Sequence, residues 1–141
     1  MLKILLLLVF LPFGLSFQDD DNWPPLSYLR NDYKAVQVVA HVRVEQAVIT
    51  NRIGGYENWK INGVVLESFK GKFKKGDAIE YFHGAEAGFK QEVFMGEKIV
   101  FLLAESDENR KRYYAVLENS TLPWTKDRMA KLRLIRKWYR R

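Results

Sequence analysis

The stretch that decides the fold runs Val36-Gln37-Val38-Val39-Ala40-His41-Val42-Arg43-Val44-Glu45. Val36, Val38, Ala40, Val42 and Val44 alternate with Gln37, Val39, His41, Arg43 and Glu45. Successive side chains on a strand point to opposite faces, so this spacing predicts a strand whose first set faces a core. His41, Arg43 and Glu45 then share the outward face. Further along, residues Asn51 to Gly55 read as a turn or loop, and Trp59 to Phe69 as a second strand rich in β-branched and aromatic residues. Gly63 lies inside that second strand, where a glycine marks a bulge or sharp bend.

A basic connection, Phe69-Lys70-Gly71-Lys72-Phe73-Lys74-Lys75-Gly76-Asp77, closes on a Gly-Asp turn. Ala78 to His83 reads as a third strand, Gly84 to Gln91 as a loop, and Met95-Gly96-Glu97 as a turn. The unbroken apolar run Lys98 to Ala104 predicts a fully buried strand. After the polar loop Glu105 to Arg110, a fifth strand is expected over Arg112 to Glu118. Five short strands with turns between them and a bent strand among them predict a mainly β fold, a small closed five-stranded barrel. A short helix over Leu26 to Arg30 follows Trp23-Pro24-Pro25, and Thr125 is placed to cap a final helix reaching about Tyr139. Met129, Leu132, Ile135 and Tyr139 form one stripe on that helix.

The chain has 141 residues, no cysteine, 48% hydrophobic and 28% charged residues, and a formal net charge of +6. This length supports one domain, and the composition excludes a collagenous or disordered chain. Without cysteine there are no disulfides, thiolate metal sites, cysteine nucleophiles or cysteine-linked lipids. The charge is localised: Lys126 to Arg141 holds eight basic residues against the single acid Asp127, leaving residues 1–125 at −1.

Residues 1–16 read as a secretory signal: Lys3, an apolar run from Ile4 to Leu11, then Pro12 and Gly14, with small Gly14 and Ser16 before the break. Cleavage is expected after Ser16, sending the protein out of the cytoplasm with Phe17 or Gln18 at its mature end. Residues 17–22, acidic through Asp19, Asp20 and Asp21, form a mobile lead-in to a single domain over residues 23–141. A small exported domain without disulfides must be held by its apolar core.

Three stretches carry a resemblance to a known family. They are Asn31-Asp32-Tyr33 entering the valine-rich strand; Phe69-Lys70-Gly71 with Gly76-Asp77 and Ile79-Glu80-Tyr81; and Leu122-Pro123-Trp124-Thr125 before the basic helix. Their order and spacing resemble the netrin-like domains, especially the inhibitory domain of the tissue inhibitors of metalloproteinases. The resemblance implies an OB-type barrel flanked by a short N-terminal and a C-terminal helix. It also implies a binding rim at the mature N-terminus and the adjoining loops, here Phe17, Gln18, Arg52, Tyr56, Glu86 and Phe89. The metalloproteinase inhibitors chelate zinc through a disulfide-pinned N-terminal cysteine. This chain has none, and Phe89 or Lys90 stands near another cysteine common in the family, so the inhibitory chemistry does not carry over.

Catalytic signals are sparse. His41 and His83, the two histidines, show no metal-ligand spacing and read as solvated surface groups. No nucleophile elbow or phosphate loop is present, so no catalytic residue, metal or cofactor is assigned and no enzyme is expected. Lys70, Lys72, Lys74 and Lys75 interleaved with Phe69 and Phe73 read as a charged turn, and export argues against a nucleic-acid partner. The basic helix has two readings. It packs its apolar stripe on the barrel, or it meets an anionic glycan or lipid surface through Lys131, Arg133, Arg136, Lys137, Arg140 and Arg141. Asn119-Ser120-Thr121 is a glycosylation sequon, meaningful in a eukaryotic source. The expected protein is a monomeric, exported, non-enzymatic binding module with a protein partner at the rim.

Overall fold

In the computed structural model, which describes residues 22–107 and 110–140, one strand organises everything else. Helix α1 (Leu26–Ala35) leads into β1 (Val38–Ile53), β2 (Tyr56–Lys70), β3 (Ala78–Glu86) and a 3-10 turn (Gln91–Val93). These are followed by β4 (Gly96–Asp107), β5 (Arg110–Ala115), β6 (Thr121–Pro123) and helix α2 (Lys126–Tyr139). From Val38 on, the alternating stretch is the first half of β1, flanked on both edges, while Val36 lies before the strand and packs in a second core instead of with the set it was expected to join. The strand pairs antiparallel with β2 along its length, and over Val38 to Val44 it also pairs antiparallel with β4, Val38 opposite Leu102 and Val44 opposite Gly96. The order β1-β2-β3-β5-β4 therefore returns to β1, giving a ring of five strands, with β6 added outside β4. One junction is parallel, β3 with β5, where Phe82 lies opposite Tyr114 and His83 opposite Ala115.

A strand that serves two partners in a ring must bend, and the sequence provides for it. The β1–β2 register slips between Val44 and Gln46, opposite Gly63. There a Cβ on residue 63 would stand 2.4 Å from the Arg43 carbonyl oxygen, so only glycine permits the approach. The bend expected at Gly63 is thus present, for a steric reason.

Over Val38 to Val42 both faces of β1 are buried. Val38, Ala40, Val42 and Val44 point into the ring with Ile61, Val65, Ile79, Tyr81, Val100 and Leu102. Val39 points the other way, into a second core with Ile99 and Phe101 of β4, Leu29 and Tyr33 of α1, and Met129, Leu132 and Ile135 of α2. The basic helix is therefore packed, as one of its two readings had it. Thr125 Oγ1 accepts from the Arg128 N–H at 3.1 Å, the expected cap. Tyr139, the last member of the stripe, is largely exposed but stacks on Tyr33 at 5.6 Å.

Several boundaries differ from expectation. The N-terminal helix does not end at Arg30; it continues to Ala35, because Leu29 and Tyr33 are four apart and bury one face. Asn31-Asp32-Tyr33 is thus helical and is not a strand entry. The loop expected over residues 51–55 shrinks to a two-residue turn, with Gly54 at φ +63° between β1 and β2. The fifth strand starts and ends earlier than expected, and the short strand β6 was not foreseen. His41 is outward-facing but only 7% exposed, hence not a solvated group. It lies under the Trp124 ring, 6.1 Å between centroids, and its Nε2 is 2.8 Å from Glu97 Oε1.

Gly63→Ala is expected to cost about 1–3 kcal/mol through overpacking. Gly55→Ala, whose Cβ meets nothing within 4 Å, should change stability by less than about 0.5 kcal/mol. Denaturant midpoints of the two variants check this, and equal midpoints would contradict the close approach.

Candidate functional site

The β1–β2 hairpin and the segment after β3 meet at one end of the ring, and most of the rim residues expected from sequence lie there. Arg52 faces Glu57 across the hairpin, and its Nε donates to Glu57 Oε2 at 2.9 Å. That bond holds the Glu57 carboxyl below the usual range, helped by the Gly88 N–H donating to Oε1 at 3.3 Å. Tyr56 lies opposite Glu86 in the β2–β3 ladder, and the Ala87 N–H donates to the Gly55 carbonyl at 2.8 Å. Gln91 Nε2 reaches back to the Ala47 carbonyl at 2.9 Å. Gly88, at φ +108°, turns the chain so that Phe89 follows directly on this network.

The tip is therefore braced, yet it leaves apolar side chains in solvent. Ile53 is 67%, Tyr56 58% and Phe89 48% exposed, and further back Val93, in the 3-10 turn that Gln91 ties to Ala47, is 50% exposed. The structure brings Arg52, Tyr56, Glu86 and Phe89 together at this end. Phe17 and Gln18, with the signal segment 1–16, lie outside the described residues, as does Arg141. Ile53 was missed from sequence because it sits singly among polar and glycine neighbours, and Val93 because nothing in Gln91 to Met95 marks which of its apolar residues stays in solvent.

The cations of α2 have a different fate. Arg133 donates to both Glu67 oxygens, at 3.1 and 2.8 Å. Arg136 sits 3.2 Å from Glu67 Oε2, donates to the Ser68 carbonyl at 2.8 Å and covers the Phe69 ring. Lys131 pairs with Asp127 at 2.7 Å and also donates to the Asn22 and Pro24 carbonyls. Three of the expected anion-binding residues thus fasten the helix and the N-terminal lead-in. Lys137 and Arg140 are exposed and make no ion pair with a described residue.

His83 is not a solvated group either. It lies edge-on to Phe94 at 5.5 Å, and burial pushes its imidazole down from the ordinary value. Among the described residues no cluster of three histidines or carboxylates is placed to hold a metal ion, and no helix is long and apolar enough to cross a membrane. A second feature was not foreseen: the strand pairing gathers Lys60, Phe82 and Arg112 on the outer faces of β2, β3 and β5. Comparison with models of known protein families, with curated proteins and with solved structures brings no match.

The Glu67 carboxyl is held below its ordinary value of 4.5, first by the Arg133 hydrogen bond and then by the Arg133 and Arg136 charges. A carboxyl with a lowered folded value contributes stability above its unfolded value and loses it as pH falls through the folded one. Glu67→Gln should be less stable than the parent at neutral pH, and the gap should close as the pH drops below that value. Urea melts at stepped pH test this, and a gap independent of pH would contradict it.

Proposed function

We propose that this chain is an exported, non-enzymatic, monomeric binding module on an OB-type barrel of the netrin-like kind, engaging a protein partner through the hairpin end. The observation that carries this reading is the pair Ile53 and Tyr56, opposite each other across the hairpin and left in solvent on a braced tip, with exposed Phe89 in the segment bonded to that tip. Aromatic side chains exposed on a preformed support are what the centre of a protein interface needs, because little ordering entropy is lost on contact. Polar Arg52 and Glu86 flank them as a rim.

The barrel assignment is supported by the strand order, which closes on β1 with one parallel junction, a small Greek-key ring of five. Export is supported by the signal-like residues 1–16, and two apolar cores hold a chain that has no cysteine for disulfides. Zinc chelation in the manner of the metalloproteinase inhibitors is not proposed, since the cysteine it uses is missing. The alternative is an anion- or membrane-surface binder acting through α2. It has the exposed pair Lys137 and Arg140 in its favour, with Arg141 beyond them, while Lys131, Arg133 and Arg136 are already engaged.

Immobilised mature chain should enrich a protein from the extracellular fraction of the producing cells. The Tyr56→Ser/Phe89→Ser variant should lose that enrichment, and Lys137→Ala/Arg140→Ala should keep it. Equal capture by the parent and the tip variant would sink the hairpin-end reading. Loss only in the helix variant would favour the alternative.

A further inference from the structure

The outer face of β2, β3 and β5 carries a cleft of about 480 Å³, and none of the exposed apolar hairpin-end residues lines it. Lys60, Phe73, Glu80, Phe82, Arg112 and Tyr113 line it. Its position follows from the ladders. Lys60 lies opposite Phe82 between β2 and β3, and Phe82 lies opposite Tyr114 at the parallel junction with β5. Phe82 and Tyr114 rest against each other at 5.7 Å, and Phe73 meets Tyr113 edge-on at 5.2 Å. Phe82 is thus the aromatic ring on the outer face, while Phe73 and Tyr113 reach the cleft from the inner core.

Cations stand over these rings. The Arg112 guanidinium is 5.9 Å from the Phe82 centroid, and the Lys72 ammonium is 5.6 Å from Phe73 and 6.0 Å from Tyr113. Arg110 and Lys111 add two more charges to the lining. None of Lys60, Lys72, Arg110, Lys111 and Arg112 makes an ion pair with a described carboxylate. This contrasts with α2, where three cations are already held by Glu67 and Asp127. The free positive charge on the described surface is thus concentrated at the cleft more than on the helix the sequence singled out. One acid enters it: Glu80, which accepts from the Asn62 amide at 3.3 Å.

We propose that this cleft binds an acidic oligosaccharide, with anionic substituents on Lys60 and Arg112, a sugar ring stacked on Phe82, and hydroxyl groups on Glu80 and Asn62. Aromatic rings give sugar rings a flat apolar surface, and a few convergent polar groups fix their orientation. Lys60 and Arg112, which pair with no described carboxylate, complement carboxylate or sulfate groups, Arg112 by its planar fork. The carboxylate favours a glycan over DNA: Glu80 can accept from a ring hydroxyl, which the interior of a single-stranded DNA backbone does not offer. A secretory signal at residues 1–16 would carry the protein to where glycans are found.

The test is calorimetric titration of the mature chain with four hexameric probes. They are a heparin hexasaccharide (sulfated), hexagalacturonate (carboxylate only), maltohexaose (neutral) and hexathymidylate (single-stranded DNA). At least one acidic glycan should bind, and better than the neutral sugar and the DNA; which one binds tells sulfate from carboxylate. Lys60→Ala/Arg112→Ala should weaken that binding about tenfold or more, with an unchanged melting temperature. Lys137→Ala/Arg140→Ala removes the same charge elsewhere and should weaken it less than about twofold. Phe82→Leu keeps the charge and should also weaken binding. The proposal is overturned if neither acidic glycan binds, if maltohexaose or the DNA binds as tightly, or if the helix variant loses as much as the cleft variant. Because the hairpin-end residues are untouched, the outcome is independent of protein-partner capture.

Discussion

The structure depends on one constraint: the first half of β1 must pair along both edges while its start, Val38 to Val42, buries both faces. Pairing with β2 on one side and β4 on the other closes the ring, and burial of Val38, Ala40, Val42 and Val44 fills it. Val39, on the opposite face, seats the two helices. A strand this committed cannot stay flat. The register slip opposite Gly63 supplies the bend, at a point where even a methyl group would collide with the Arg43 carbonyl. A ring closed in this way leaves β1 no free edge over Val38 to Val44, which suits a chain without disulfides.

Much of this was legible in the sequence. Period-two alternation located β1, the apolar run over residues 98–104 located the buried part of β4, and Thr125 announced the start of α2. The bend at Gly63 could be read from a glycine in an otherwise β-rich run. Local signals failed where tertiary contacts decide. Asn51 and Arg52 look like loop residues, yet they remain in β1 because Asn58 and Glu57 stand across the hairpin to bond them. His41 follows a polar alternation and was expected in solvent; it is buried because Trp124, eighty-three positions later, closes over it.

The surface chemistry was harder to read than the fold. Composition drew attention to the basic C-terminal segment, and the helix is there, but its charge is partly spent on Glu67, Asp127 and backbone carbonyls. The cleft gave no sequence signal, since Lys60, Phe82 and Arg112 belong to three strands and become neighbours only through the β2–β3–β5 pairing. The hairpin end falls between these cases. Arg52, Tyr56, Glu86 and Phe89 were placed at a rim by resemblance; the strand ladders bring the first three to the hairpin end, and Phe89 follows Gly88 there. The cross-links through Glu57, Gly88 and Gln91 that stiffen the tip are tertiary features.

Closure of the ring through β1 and β4 is the central claim, because both surfaces are displayed by that scaffold. Residue-resolved native-state hydrogen exchange tests it most directly. Amides of Val38 to Val44 and of their β4 partners should exchange only through global unfolding, with the same free energy as those of the β1–β2 ladder. Exchange along the β1–β4 seam at a markedly lower free energy than the β1–β2 ladder would show an open sheet and contradict the account.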